Sequence, residues 1–351
     1  MRKAVLFLDD FMPLTCLHLK AVSFLVKDNS ETEVFFGVLR QGDYQLPTEM
    51  LKALAKNDLR YKIFETKGNT DILTILEDFK RQHDFSHVTL LIHHDLLSEF
   101  DDDIVFSENE TLAVIFDDPS MAQRPQPGVI PVYVGNLPQT KEKALEGTLI
   151  DCPRPILEYI VQQKLFFASN LSYFLTELRY QHSLRVALTA YDIALSNGLD
   201  PLKAFTAGIF HDCAKDLVKA KQKDILDQHF PNIYPVEPFA YHQFASSYLA
   251  SAVFKIKDKE ILQAIESHCT GTGNMSKLDK CIYTADKVEP GREFETYSMR
   301  QEAIKDLDAS FKAVLKDQVR YFHENNIRFL TCKYTHDLYK TYIPLEVEND
   351  E

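Results

Sequence analysis

Long hydrophobic runs, closely paired cysteines and net positive charge are all absent from this sequence of 351 residues. No apolar stretch approaches the roughly 20 residues of a membrane-spanning helix, which argues against a membrane protein. None of the six cysteines forms a Cys-x-x-Cys pair, which favours free thiols and a cytoplasmic location. A net charge of −13 disfavours bulk nucleic acid, and a small anionic substrate requires a site that supplies its own positive charge.

The composition is that of a globular protein, with 45% hydrophobic and 26% charged residues, and the length suits two domains. The N-terminus is basic and then apolar, as in a secretory signal. Its apolar stretch breaks at Asp9-Asp10 after a few residues, so we interpret it as a buried first strand.

The first part of the chain alternates strand-like and helix-like segments, the pattern of a parallel sheet with helical crossovers. The predicted strands are Ala4–Leu8, Glu33–Leu39, His87–His93, Leu112–Phe116 and Val129–Val134. The predicted helices are Leu17–Val26, Pro47–Ala55, Ile72–Gln82 and a closing helix over Pro155–Phe167, and Pro119–Gly128 reads as a loop. We therefore expect an α/β domain with a parallel sheet over residues 1–167.

Beyond this domain, apolar residues recur at intervals of three and four, as in Leu184, Ala187, Leu188 and Tyr191. This periodicity predicts an all-helical second domain over residues 168–351. The acidic tail Glu346–Glu351 is expected to fray.

Six side chains of the metal-ligating type lie in this second half: His182, His211, Asp212, His242, His268 and Asp286. The adjacent pair His211-Asp212 lies in the apolar string AGIFHDCAKDL, which predicts a helix, and such a pair is costly to bury without a partner. Lys215 would share its helix face and could meet a phosphate oxygen. A lone histidine is more often a core or surface residue, and we interpret His229 and His323 in that way.

Nitrogen and oxygen donors together favour iron, manganese, zinc or magnesium over calcium, as one or two ions. Arg179 and Arg185 lie three residues on either side of His182 and could contact phosphate. A bound metal facing a polyphosphate suits hydrolysis.

The stretch Arg179–Leu217 resembles the HD superfamily of metal phosphohydrolases and, within it, the YqeK family of symmetrical diadenosine tetraphosphate hydrolases. The match continues through AIESHCTG and LDKCIYTADKVEPGREF to the helix bearing Arg300 and Asp306-Leu307-Asp308. It covers nearly all of the chain from Arg179 to Ile343.

This resemblance implies a fold, an activity and a set of site residues. It implies that a metal ion, typically iron, is held by His182, His211, Asp212 and Asp286. We expect Asp212 and Lys215 to be catalytic. The resemblance implies a nucleotide site lined by Arg179, His242, His268, Cys269 and Arg292, and we expect Arg185, Thr270 and Gly271 to contribute to it. His242 and His268 would alternatively complete a second metal site. The sequence departs from the family pattern at Gln243, where glycine is usual, and at Cys269, where threonine is usual.

The activity implied is cleavage of a dinucleoside tetraphosphate at its middle anhydride into two ADP molecules. The family also dimerises commonly, so a homodimer is expected by resemblance. A non-catalytic nucleotide-binding regulator is the alternative that would bind ADP without turnover and carry little metal.

The opening AVLFLDDFMPLTCLHL resembles the nicotinate mononucleotide adenylyltransferases of the NadD family. This resemblance implies a Rossmann-like nucleotidyltransferase fold for the first domain. The sequence matches the family at Phe11, Pro13, Thr15 and His18. It departs from the family in the phosphate loop, where Leu8 and Asp9 replace the glycines and Asp10 replaces the serine. Leu17 replaces the glycine of the second motif. Glycine lets backbone N–H groups approach a triphosphate, so we expect a degenerate, inactive nucleotide site around Thr15 and His18. A bifunctional enzyme that also adenylylates nicotinate mononucleotide is the alternative. His93-His94 replaces the family's Gly-x-Asp turn, and substitution without chemistry is favoured there.

Overall fold

The computed structural model describes residues 2–26, 31–40, 44–100, 106–122, 128–148, 150–292, 296–327 and 332–344. The chain divides into two compact units, Met1–Gln163 and Lys164–Glu351. The domain boundary expected after Phe167 stays a prediction. The acidic tail Glu346–Glu351 lies outside the described residues.

The first unit contains a six-stranded sheet in which every neighbouring pair is parallel. Its strands are β1 (Lys3–Asp9), β2 (Glu33–Val38), β3 (Tyr61–Phe64), β4 (His87–His93), β5 (Glu110–Phe116) and β6 (Val129–Tyr133). The apolar runs of β1 and β2 are buried almost throughout, as expected for strands covered on both faces. The α/β fold class is therefore confirmed, and the five predicted strands are present within two residues at each end.

Helices connect these strands and close the unit. They are α1 (Cys16–Val26), α2 (Gln45–Ala55), α3 (Ile72–Gln82), α4 (Pro119–Ala122), α5 (Leu137–Glu146) and α6 (Arg154–Gln162), with a 3-10 helix at His94–Glu99.

Three details of the predicted pattern are wrong. β3 was not predicted, because four residues with an exposed Lys62 carry too little alternation to mark a strand. The predicted loop after Pro119 begins with the one-turn helix α4, and residues 123–127 lie outside the described part. The closing helix ends at Gln162 rather than Phe167, because Lys164 and Phe166 adopt positive φ values of 51° and 53°.

The strand order β3-β2-β1-β4-β5-β6 reverses between β1 and β4. In open parallel sheets, ligands bind outside the carboxyl ends of the strands at such a reversal. Asp9 ends β1 and His93 ends β4 at this edge.

The second unit is entirely helical over its described residues, as predicted. Its helices are α7 (Phe167–Ser172), α8 (Glu177–Ser196), α9 (Pro201–Phe210), α10 (Lys219–His229), α11 (Tyr241–Ala252), α12 (Lys259–Ser267), α13 (Lys277–Val288), α14 (Tyr297–Lys305), α15 (Leu307–Glu324) and α16 (Lys333–Tyr342), with a 3-10 turn at Pro238–Ala240. Among the helices described for either unit, none combines the length and apolarity required to cross a bilayer.

Close packing of α8 on α9 brings two of the candidate ligands together. Gly208 allows this approach, because a Cβ atom there would lie 2.7 Å from the Ala187 Cα. The imidazole of His182 on α8 then lies beside that of His211 at the end of α9, with ring centroids 5.2 Å apart.

Candidate metal centre

Four histidines of the second unit are each fixed through Nδ1. The Nδ1 atoms of His211, His242 and His268 lie 2.7, 2.8 and 2.7 Å from the main-chain oxygens three residues before them. The Nδ1 of His182 lies 3.0 Å from a carboxylate oxygen of Glu289. A carbonyl or carboxylate oxygen only accepts, so each Nδ1 carries the proton and each Nε2 presents a lone pair.

These Nε2 atoms converge on two carboxylates. Asp286 Oδ1 lies 3.1 Å from His182 Nε2 and 3.8 Å from His211 Nε2. Asp212 Oδ2 lies 3.8 Å from His211 Nε2, and Asp212 Oδ1 lies 3.2 and 3.4 Å from the Nε2 atoms of His242 and His268. All six predicted ligand side chains therefore meet at one place, although they come from five separate stretches of sequence.

The donor set fits a metal ion. The Nε2 atoms of His242 and His268 lie only 3.2 Å apart, and both face the Asp212 carboxylate, so three acceptors meet without a proton between them. His211 Nε2 and Asp212 Oδ1 are buried and make no hydrogen bond. A transition-metal ion accepts lone pairs from imidazole and carboxylate at once. These residues therefore fit one ion at His182, His211 and Asp212, with the Asp286 carboxylate beside both histidines, and a second ion at Asp212, His242 and His268.

The protonation states suit metal binding. Burial lowers the pKa of His211 to about 3 and lowers the pKa values of His242 and His268, so these imidazoles are neutral at pH 7. Burial opposes ionisation of Asp212, but the nearby His211, His242, His268 and Lys215 hold its pKa well below the usual range.

His182 differs from the other three histidines because it lies between Asp286 and Glu289. Burial raises the pKa of Asp286, but Lys287, His182 and Arg292 together hold it well below its ordinary value. Burial lowers the pKa of His182, but its bonds to Asp286 and Glu289 raise it overall.

The predicted helical position of His211 and Asp212 is wrong, because α9 ends at Phe210. Hydrogen bonds from residue i+3 to residue i continue the chain instead: Cys213 N to the Phe210 oxygen and Lys215 N to the Asp212 oxygen. Side chains three residues apart eclipse in such turns, which places Lys215 Nζ 3.6 Å from Asp212 Oδ1.

A cavity of about 620 Å³ opens beside these ligands, and four cations line it. Arg179, Arg185 and Arg292 each hold a carboxylate: Asp216 at 3.0 Å, Glu289 at 2.6 Å and Asp286, respectively. The closest partner of Lys215 is the neutral His242, with Nζ 2.7 Å from Nε2. Lys215 is therefore the cation of this cavity that is held least tightly by negative charge.

The structure does not bring every predicted substrate-binding residue to the cavity. Cys269 lines it, whereas Thr270 and Gly271 do not. Thr270 is buried against Gln243, and Gly271 lies against Leu338 at a φ of 63°. These two residues shape the turn that follows His268.

Several residues that support the site were not predicted. Glu289 is 1% exposed and binds both His182 and Arg185, and its position three residues after Asp286 was the available signal. Asp216 binds Arg179 and also accepts hydrogen bonds from Thr176. Gln243 accepts from the N–H groups of residues 269 and 270, so the residue that departs from the family pattern anchors the turn. No spacing rule identifies such a long-range contact.

The residues around Thr15 and His18 in the first unit form a closed cluster. Thr15 N–H donates to His18 Nδ1 at 2.8 Å, and His18 is completely buried. Lys141 Nζ lies 2.9 Å from Asp9 Oδ1 and also binds Asp10. Burial raises the pKa of Asp9, but His18 and Lys141 together hold it well below its ordinary value.

Comparison with known proteins finds relatives of this chain. The HD domain family model matches residues 179–291. A probable nicotinate-nucleotide adenylyltransferase/Ap4A hydrolase of Mycoplasma genitalium is 27% identical over 320 residues, which cover 85% of this chain and 90% of that protein. The symmetrical bis(5'-nucleosyl)-tetraphosphatases of Halalkalibacterium halodurans and Bacillus subtilis are 35% and 34% identical over 155 residues, covering 43% of this chain and 83% of each relative.

Proposed function

Because this chain belongs, through its second unit, to the HD-type family of symmetrical bis(5'-nucleosyl)-tetraphosphatases, we propose that it hydrolyses diadenosine tetraphosphate and related dinucleoside polyphosphates to two nucleoside diphosphates. It is an HD-domain hydrolase. The observation that carries the proposal is the convergence of four lone-pair nitrogens and two carboxylates beside a cavity lined by cations. Such a cavity suits a substrate whose negative charge is concentrated at the bonds to be cleaved.

The proposed ligands are His182, His211, Asp212 and Asp286, with His242 and His268 available to a second ion. We propose iron as the native ion, with manganese, zinc or magnesium as alternatives, because the donors are nitrogen and oxygen. When bound, such an ion lowers the pKa of water and polarises a phosphoryl oxygen.

The protein's own residues bind and orient the reactants. Asp212 is ionised at neutral pH and would accept a hydrogen bond from the attacking water. Lys215 would move from His242 to a phosphate oxygen and stabilise the charge that grows as the central P–O bond breaks. Arg179 lies 3.7 Å from Asp212 at the cavity and would hold a flanking phosphate.

Product analysis tests this proposal directly. The purified chain is incubated with diadenosine tetraphosphate and iron(II) or manganese(II), and the nucleotides are separated by chromatography. ADP alone is expected, whereas ATP with AMP would indicate asymmetric cleavage and refute the assignment. Asp212→Asn should abolish turnover. Asp227→Asn, which alters an exposed ion pair with Lys223, serves as the matched control and should leave turnover unchanged.

The first unit is proposed to be an inactive scaffold. The Mycoplasma genitalium relative carries an adenylyltransferase name, which makes adenylyl transfer to nicotinate mononucleotide the second candidate. Here His18 is completely buried and Lys141 binds both Asp9 and Asp10, so neither side chain is presented to a nucleotide. Pyrophosphate release that depends on both ATP and nicotinate mononucleotide, and that is lost in His18→Ala, would contradict this view. Homodimer formation and a cytoplasmic location stay predictions.

A further inference from the structure

A second group of imidazoles and carboxylates lies in the first unit, outside the centre described above. His93 ends β4, His94 begins the 3-10 helix that follows, and Asp117 comes directly after β5. β4 and β5 are neighbours in the parallel sheet, with His93 opposite Ile115. The three side chains therefore meet at the carboxyl edge of the sheet, where ligand atoms of all three lie within 4.8 Å of one another.

The Asp95 carboxylate lies beside the Nδ1 atoms of both histidines. Asp95 Oδ2 lies 3.1 Å from His93 Nδ1, and Asp95 Oδ1 lies 3.2 Å from His94 Nδ1. The Asp95 N–H is more distant from His93 Nδ1, at 3.5 Å. His94 Nε2 makes a hydrogen bond with Asp117 Oδ2 at 3.2 Å. An ion bound at each Nε2 would leave the remaining proton of each ring on Nδ1, which faces the Asp95 carboxylate. Histidines that bind metals are held in this way by an outer carboxylate.

The two Nε2 atoms lie near a common oxygen. Asp117 Oδ2 lies 3.1 Å from His93 Nε2 and 3.2 Å from His94 Nε2, while Asp117 Oδ1 is held by the Leu137 N–H at 2.9 Å. Bonds of 2.0–2.2 Å from a tetrahedral ion place its ligand atoms roughly 3.3–3.5 Å apart, close to the observed separations.

The nearest oxygen does not satisfy His93. Its side chain is 9% exposed, and its Nε2 is buried without a hydrogen bond although Asp117 Oδ2 is within 3.1 Å. The oxygen thus lies off the direction of the nitrogen's lone pair. Such an offset suits two ligands that share one ion, because each ligand is then directed at the ion rather than at the other ligand.

We propose that His93 Nε2, His94 Nε2 and Asp117 Oδ2 bind a divalent transition-metal ion of the zinc type, with Asp95 orienting both imidazoles. Two imidazoles and one carboxylate, with an open fourth position, are a ligand set that zinc accepts. The site borders a cavity of about 520 Å³ at the carboxyl edge, lined by His93, Asp95 and the Asp9–Lys141 pair among others. It is separate from the ligands of the second unit, and the proposed hydrolase activity does not require it.

Cobalt binding to the full chain tests this site. His182→Gln/Asp212→Asn removes ligands from the centre in the second unit, and this double variant is freed of metal and dialysed against cobalt(II). One retained cobalt per chain is expected, with the visible absorption of a tetrahedral ion. Adding His94→Gln should remove both the ion and the absorption. In the otherwise unchanged chain, His94→Gln should lower the cobalt content by one.

Two further variants separate binding from folding. Asp95 is exposed, so Asp95→Ala is expected to fold normally and to weaken cobalt binding about 10–100-fold through loss of orientation. His87→Gln changes a histidine of the same strand that bonds Thr111, and it should leave binding unchanged. The proposal is overturned if the folded double variant retains no cobalt, or if His94→Gln retains as much as its parent.

Discussion

Glu289→Gln isolates a residue that would act on the metal only through another side chain. Glu289 Oε1 lies 3.0 Å from His182 Nδ1, and Oε2 accepts from Arg185 Nε at 2.6 Å. Glutamine offers one oxygen to two donors, so its amide NH2 group must face either the histidine or the arginine. The variant should therefore bind metal about 10–100-fold more weakly, which corresponds to about 1.4–2.7 kcal/mol. Breaking a buried pair should also lower the free energy of unfolding by about 3 kcal/mol.

Manganese titration of metal-free protein, followed by diadenosine tetraphosphate hydrolysis across manganese concentrations, measures the effect. Because Glu289 is not proposed to touch substrate, saturating metal should restore most of kcat. Glu110→Gln is the matched control: it removes a poorly exposed carboxylate that pairs with Lys80 in the first unit, so it should cost stability without changing metal affinity. Unchanged manganese affinity in Glu289→Gln would refute the orienting role. A kcat that stays low at saturating metal would assign Glu289 a different role.

Three other perturbations have defined outcomes. Lys215→Met should lower kcat about 100-fold while leaving the melting temperature almost unchanged, as measured by steady-state kinetics and calorimetry. Gly208→Ala should destabilise the second unit by about 1–3 kcal/mol and weaken metal binding, because the added methyl group meets the Ala187 backbone; denaturant unfolding with and without manganese checks both effects. Lys141→Met should destabilise the chain by about 3 kcal/mol by leaving Asp9 buried without its lysine, and adding Asp9→Asn should recover most of this loss. The pKa of Asp9 in the folded state lies below its ordinary value, so ionised Asp9 stabilises the fold at pH values above that ordinary value. This stabilisation is lost as the pH falls and the carboxylate becomes protonated. Between about pH 5 and pH 3, the free energy of unfolding of Asp9→Asn should therefore fall less than that of the unaltered chain.

The sheet could be predicted because its signal is local. Strands buried on both faces need continuous apolar runs, and β1, β4 and β5 each have one. β3 pairs only with β2 and has an exposed Lys62, so its four residues have no such run and its place depends on a neighbour distant in sequence. Local pattern also failed at Phe210, where an apolar string continues but the helical hydrogen bonding changes to shorter turns.

The ligands of the candidate centre could be predicted, but not the partners of the cations around it. An adjacent His211-Asp212 pair in an apolar string is conspicuous because burial makes it costly. Arginines at positions 179, 185 and 292 appear equally available in sequence, yet each finds a carboxylate in the fold: Asp216, Glu289 and Asp286.

Lys215 differs from those arginines because its closest partner is a neutral imidazole rather than a carboxylate. A close ion pair must be broken before an arginine can bind phosphate fully, whereas the nearest contact of Lys215 is with a neutral imidazole and its carboxylate neighbour, Asp212 Oδ1, is 3.6 Å away. A metal ion bound by His242 would compete for the same lone pair and release the lysine. Metal binding should therefore raise the affinity of Lys215 for phosphate, and phosphate binding should raise the affinity of His242 for the metal. This coupling depends on a contact between residues 27 positions apart in the sequence.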